Sequence, residues 1–171
     1  KLISQTGSQW RAVDVFNTLN EDGTNIQLYP DLGHEAQKFK LKLAAGGGYQ
    51  LLAKCSKDTR CIMVSAGSAP NDVFADKANV ELGSAASDSE PRSIWYFEPA
   101  DEGNVSEAPQ DGMLCRIRAR HSGQYVQTTG AEVGSTFKQA YSSQKQEEEF
   151  LLTKVQTENG TDWYYIRSVG N

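Results

Sequence analysis

The residues best able to do bond-making chemistry are few: two histidines and three cysteines in 171 positions. His34 stands beside Glu35, and His121 lies between Arg120 and Ser122; neither has a sequence neighbour resembling a catalytic triad. No Gly-x-Ser-x-Gly elbow, His-Glu-x-x-His pair or phosphate loop occurs. So little histidine and cysteine leaves scant material for a zinc site. The chain is therefore expected to be non-enzymatic, with no metal and no cofactor. Paired acids for glycoside hydrolysis are the one chemistry that spacing does not address, because such carboxylates usually stand far apart in sequence. Cys55 and Cys61 flank the polar stretch 56–60, an arrangement open either to a cross-strand disulfide or to two reduced thiols. Cys115, within Met113-Leu114-Cys115-Arg116-Ile117, reads as a small core residue. Asn104-Val105-Ser106 and Asn159-Gly160-Thr161 are glycosylation sequons, triplets that arise often by chance.

The elements that must position these residues are strands. Short β-type runs separated by Gly, Asn, Asp and Ser fill the chain, and helical periodicity is nearly absent. Phe39-Lys40-Leu41-Lys42-Leu43 alternates apolar and basic residues, the pattern of a half-buried strand. About a dozen such runs predict an all-β fold. A length of 171 residues suits one domain able to bury its own core. Net charge is −5, which argues against a nucleic-acid backbone as partner, and no apolar run is long enough for a membrane span. The chain opens Lys1-Leu2-Ile3-Ser4 without Met, as expected of a processed chain or an excised segment.

The runs also repeat. Phe39, Trp95 and Phe150 close successive blocks 56 and then 55 residues apart, and self-similarity at such a period indicates repeat architecture. Three blocks of four strands fit the length: about 1–47, 48–112 and 113–157. Residues 158–171 then read as an extra strand, because Ile166-Arg167-Ser168-Val169-Gly170-Asn171 aligns with Ile3-Ser4-Gln5-Thr6-Gly7-Ser8. That strand is expected first to open another repeat, and otherwise to close the fold beside the N-terminal strand or to pair with another molecule. The segment Ser65–Ala85 reads as a surface loop excursion.

Asp14-Val15, the run Gly23-Thr24-Asn25-Ile26-Gln27-Leu28-Tyr29-Pro30, and Ala36-Gln37-Lys38-Phe39 together resemble one repeat of the ricin B-type lectin family. Gln37-Lys38-Phe39 matches the family's Gln-x-Trp/Phe signature, whereas Ser93-Ile94-Trp95 and Glu148-Glu149-Phe150 keep the aromatic and lose the glutamine. The resemblance implies a β-trefoil of three pseudo-symmetric four-stranded repeats, with Phe39, Trp95 and Phe150 in the core. It also implies a shallow sugar site for galactose or another neutral glycan. In the first repeat Asp14 would accept hydroxyl hydrogen bonds, Tyr29 would stack on the sugar, and Gln27 and Gln37 would orient the site. The family's asparagine position is Ala36, for which Glu35 or His34 would have to substitute. The second repeat, with Met63, Glu81 and Gly83 at the binding positions, is expected to carry no such site. The third offers a second, modified site at Gln127, Gln139, Tyr141 and Glu147.

The resemblance thus implies a non-catalytic, extracellular or secreted module whose partners are glycans or glycoproteins, carried in a larger chain or an oligomer. The alternatives are a protein-binding trefoil, such as a protease inhibitor or adhesion module, and the targeting domain of a larger toxin or glycosidase.

Overall fold

The computed structural model describes residues 10–169 apart from 70, 86, 88 and 102–106. The expected opening strand near Ile3 and the sequon at Asn104 lie outside the described residues. Twelve strands run in chain order: β1 (Arg11–Val15), β2 (Ile26–Pro30), β3 (Phe39–Leu43), β4 (Tyr49–Ala53), β5 (Arg60–Val64), β6 (Val80–Ser84), β7 (Trp95–Pro99), β8 (Leu114–Ala119), β9 (Tyr125–Thr128), β10 (Phe137–Ala140), β11 (Phe150–Glu158) and β12 (Thr161–Ser168). The helical segments among the described residues are single 3-10 turns.

The hairpins β3–β4, β7–β8 and β11–β12 form a six-stranded barrel. Its seams are the pairings of β4 with β7, β8 with β11, and β12 with β3. The hairpins β1–β2, β5–β6 and β9–β10 form the cap. This is the β-trefoil. Its core follows from the two-residue period of the strands: Val13, Val15, Ile26 and Leu28 are buried inward, while Asp14 and Gln27, one step out of phase, pair across the other face. Phe39, Trp95 and Phe150 are wholly buried, each at the first position of its barrel strand. Trp95 also donates its indole N–H to Ile62 O at 3.0 Å.

Of the readings open for the last strand, the pairing corrects the first and bears out the second. β12 opens no further repeat but closes the fold: it pairs with β11, β3 and the first described strand, β1, just as β4 pairs with β3, β5 and β7 and β8 with β7, β9 and β11. It is the barrel strand that opens the unit completed by β1, β2 and β3. The Asn159-Gly160 turn that leads into it has φ of 51° and 76°, the left-handed pair that matches a two-residue hairpin to strand twist. The sequon asparagine is therefore exposed at a hairpin tip.

The cap is laced by a threefold set of backbone hydrogen bonds. Gly23 N donates to Leu82 O, Lys77 N to Gln139 O and Gly134 N to Leu28 O, each at 2.8 Å. Gly23, Lys77 and Gly134 all have positive φ, so the three loop tips share one geometry although only two have glycine's freedom. The expected loop Ser65–Ala85 is corrected at its far end, where Val80–Ser84 form β6 because Val80 and Leu82 alternate into the core; the excursion that remains, 65–79, is built into this ring. Gln139 takes the place that Leu28 and Leu82 hold in the other units. Its Nε2 donates to Val73 O at 2.7 Å and Ala75 O at 3.0 Å, and its Oε1 accepts from Ser122 Oγ at 2.8 Å. His121 Nε2 meets Val73 O at 2.7 Å, and its ring lies 5.6 Å from that of Phe74. All three cysteines are free thiols, which settles the alternative left open at Cys55 and Cys61; burial pushes both of those thiols up to about 11.

Two outcomes follow from this architecture. Truncation before Thr161 removes a barrel strand and is expected to abolish cooperative thermal unfolding, read by circular dichroism; a sharp transition in the truncated chain would contradict the role of β12. Gln139→Leu restores the leucine of the other units but removes one hydrogen-bond partner each from Val73 O, Ala75 O and Ser122 Oγ, leaving them His121 Nε2, Ala78 N and Gln124 N. It is expected to cost about 1–3 kcal/mol in urea unfolding and to speed proteolytic cleavage within 65–79.

Candidate functional site

The site predicted in the first unit is assembled by three elements: β1 brings Asp14, β2 brings Gln27 and Tyr29, and the 3-10 turn Glu35–Gln37 brings Gln37. Asp14 and Gln27 are cross-strand partners, and Gln27 Nε2 donates to Asp14 Oδ1 at 3.0 Å. Gln37, with no exposed surface, holds the loop that follows β2. Its Oε1 accepts from Leu32 N and Gly33 N, each at 3.1 Å, and its Nε2 donates to Pro30 O at 2.8 Å. Gln37 is therefore a positioning residue: three of its four hydrogen-bonding directions are spent on its own loop, and its amide also supports Asp14. Tyr29 is half-buried and stands across from Ala12, on the same face as Asp14 and Gln27.

Asp14 is only 4% exposed. Burial raises its carboxyl above the ordinary value, opposed by hydrogen bonds from Gln27 and Gln37 and by the charge of His34. Ala36 at the family's asparagine position is buried and has no polar side-chain atom. Of the two substitutes, Glu35 turns elsewhere: its Oε1 lies 3.8 Å from Lys54 Nζ, an ammonium already 2.5 Å from Glu158. His34 is exposed and is the residue whose charge reaches Asp14. The structure thus brings Asp14, Gln27 and Gln37 together at one end of the cap hairpin, and sets Glu35 toward Lys54.

The third unit departs from its sequence reading. The partner of Gln127 across β9–β10 is Lys138, and Ala140 stands where Tyr29 stands in the first unit. Gln139 is one step out of phase and faces the 65–79 excursion, so it is no part of a site with Gln127. Gln127 donates to Tyr141 O at 2.9 Å and to Glu148 Oε2 at 3.2 Å. Tyr141 is 71% exposed, one residue beyond the end of β10. Glu147 is partly buried at the position of Ala36, and Glu148 performs the loop-holding task of Gln37: it accepts from Ser142 Oγ at 2.7 Å, Ser143 N at 2.9 Å and Gln144 N at 3.0 Å.

In the second unit Met63 replaces the acid, and its thioether occupies the space a Cβ on Gly83 would need. A cavity of about 310 Å³ there is bounded by Met63, Glu81, Gly83 and Arg92. Sequence reasoning missed this opening, because residues from β5, β6 and the turn before β7 bound it and no one motif marks them. Among the described residues no cluster of His, Cys, Asp and Glu could hold a metal ion, and no helix is long and apolar enough to cross a membrane.

Comparison with known proteins bears on the fold. No protein-family model and no curated protein matches the chain. Among solved structures, the designed threefold-symmetric protein ThreeFoil superposes with a TM-score of 0.64 at 22% identity, over 91% of this chain and 90% of its own. An exo-beta-1,3-galactanase from Clostridium thermocellum gives 0.63 at 16% identity, over 95% of this chain and 31% of that one. A mosquitocidal holotoxin gives 0.67 at 12% identity, over 91% of this chain and 18% of that one. In the last two, the chain matches a minor part of a much longer protein.

The environment of Asp14 makes a linkage prediction. Its carboxyl is raised in the folded state, so the folded chain holds that proton more tightly than the unfolded chain, and the residue's contribution to stability falls as pH rises through the folded value. Asp14→Asn is therefore expected to unfold at a higher denaturant concentration than the parent at pH 7, with the gap closing as pH falls toward 4. A parent more stable than the variant at pH 7 would mark Asp14 as a purely structural acid.

Proposed function

We propose that this chain is a non-catalytic carbohydrate-binding module whose first unit binds a neutral, galactose-type sugar at the cap. The observation that carries the reading is Asp14: an acid kept in a buried position, braced by Gln27 and beside a loop pinned by Gln37, with the half-buried Tyr29 on the next outward-facing pair of the same hairpin. A carboxylate accepts from two adjacent sugar hydroxyls, and an aromatic face takes the apolar face of the ring. Glycoside hydrolysis calls on a second carboxylate across the bond. Glu35, the neighbouring acid, is engaged toward Lys54, which supports binding without catalysis. The amide of Gln127 is committed to Tyr141 O and Glu148, which supports one such site per chain rather than two.

The superposed galactanase and holotoxin fit the same reading, as long chains in which a trefoil is one part; by that analogy the module acts outside the cell and is joined to other domains. One sugar of about a dozen heavy atoms at ~0.3 kcal/mol per atom gives about 4 kcal/mol and a near-millimolar Kd, so useful affinity would come from several copies.

Calorimetric or NMR titration with galactose, glucose and N-acetylgalactosamine tests the proposal. Galactose is expected to bind near the millimolar range, with Tyr29→Ala weakening it by about tenfold, as loss of a stacking face worth ~1–1.5 kcal/mol. Absence of binding to any of the three, or binding indifferent to Tyr29→Ala, would remove the site assignment.

A further inference from the structure

The opening in the second unit has walls of unlike character. Its volume of about 310 Å³ lies at the lower end of the ~300–1,000 Å³ of small-molecule sites. Met63 and Glu81 are register partners across β5–β6, and Gly83 lies two residues further along β6, so the three positions share one face of the hairpin. The Met63 thioether lies over Gly83 and fills the space a Cβ there would need. Met63 is 4% exposed and packs with Leu52 and Cys61, which holds this apolar floor in place. The opposite wall comes from the first unit, whose loop tip is tied to β6: Gly23 N donates to Leu82 O and Leu82 N to Thr24 O, each at 2.8 Å. A floor and wall held this way need little further ordering on binding.

The charges around the floor are not equivalent. Arg92 donates from Nε to Glu90 Oε1 at 2.9 Å and from Nη1 to Val64 O at 3.2 Å. Asp22 lies 3.3 Å from Arg60 Nε. Glu81 is partly exposed, and its carboxylate has no hydrogen bond or ion pair among the described residues. Its cross-strand partner is a thioether, which has no charge to offer. The lining therefore holds one uncommitted charge, an anion. Among the described residues no acid cluster could hold a metal ion there. No aromatic ring lines the cavity either, so neither a sugar ring nor a planar guanidinium finds a stacking platform. A lone carboxylate beside a polarizable thioether suits a compact cation on a flexible alkyl stem.

We propose that this cavity binds a primary ammonium on an alkyl stem, as carried by a lysine side chain or a free diamine: the ammonium pairs with Glu81, and the stem lies on Met63 over Gly83. The inference goes beyond the neutral-sugar reading of the first unit and does not rest on it. No residue is shared between the two sites. Glu81 stands where Gln27 stands in the first unit, and Met63 where Asp14 stands, so one hairpin geometry carries two ligand chemistries.

Nα-acetyl-lysine methylamide, cadaverine and the uncharged Nα-acetyl-norleucine methylamide, titrated into isotope-labelled protein and followed by amide and methyl NMR shifts, test it. Both amines are expected to shift Glu81, Gly83 and the Met63 methyl with a millimolar midpoint. The norleucine derivative is expected to bind about fivefold more weakly than the lysine derivative, the scale of one exposed ion pair. Whichever amine binds more tightly names the source, a protein lysine or a free diamine. Glu81→Gln is expected to bring the lysine derivative down to the level of the norleucine derivative. Gly83→Ala sets a Cβ against the Met63 thioether, forces it off the floor and should weaken all three ligands. Equal affinity for the lysine and norleucine derivatives, shifts confined to the surroundings of Asp14, or amine binding unchanged in Glu81→Gln would overturn the proposal. Because Glu81 is partly exposed and glutamine keeps its size, the replacement leaves the fold intact, so loss of binding reads the site.

Discussion

Everything in this molecule hangs on three rings at three seams. Phe39, Trp95 and Phe150 each occupy the first position of a barrel strand and each pairs through its backbone with a strand of the neighbouring hairpin: Phe39 with Tyr164, Trp95 with Tyr49, and Phe150 with Cys115. A buried ring of this size is worth roughly 3–5 kcal/mol against alanine, and here it also locks two hairpins in register. Just ahead of each ring runs a 3-10 turn, and its last residue is Gln37, Ser93 or Glu148. With the ring fixed, that residue's position is fixed as well, directly beneath the loop of its own cap hairpin.

Threefold geometry therefore outlasts threefold chemistry. The loop-holding position must satisfy buried groups, and three different side chains do it: Gln37 through its amide, Ser93 by donating to Glu90 O at 2.9 Å, and Glu148 through its carboxylate. The position of Asp14 carries no such duty, and it drifts to Met63 and Gln127 in the other units. Methionine there closes over Gly83, and glutamine there bonds its own loop. Decay at this position leaves the fold unharmed because its side chain lies on the outer face of the cap hairpin, out of phase with the core.

The sequence made the barrel legible and left parts of the cap obscure, for physical reasons. Rings 56 and 55 residues apart are a core signal because nothing else in a β protein needs large aromatics at such a period. By contrast, Gln139 looked like a counterpart of Gln27 because aligning on residue type ignores the two-residue period. Pairing of Lys138 with Gln127 shifts it by one position, and one position reverses the face. Its inward glutamine in place of a leucine makes sense only once the 65–79 backbone is seen against it. The place of β12 is hidden differently: its likeness to the first residues suits a new repeat as well as a closing strand, and only the pairing with β1 and β3 shows that the barrel takes its opening strand for this unit from the far end of the sequence.

Two buried acids show how structural and binding roles separate. Glu148 receives a serine hydroxyl, two backbone amides and the Gln127 amide, so its oxygens are spent within the protein. Asp14 is about as deeply placed, yet it receives only the Gln27 amide at 3.0 Å and a hydrogen bond from Gln37, with the charge of His34 nearby. A carboxylate offers roughly four acceptor directions, so Asp14 retains capacity that folding has not used. Burial makes that unused capacity costly in the free protein and valuable to a ligand, because a hydroxyl arriving there meets an acceptor poorly solvated by water. The acid that folding leaves least satisfied is thus the one best placed to bind.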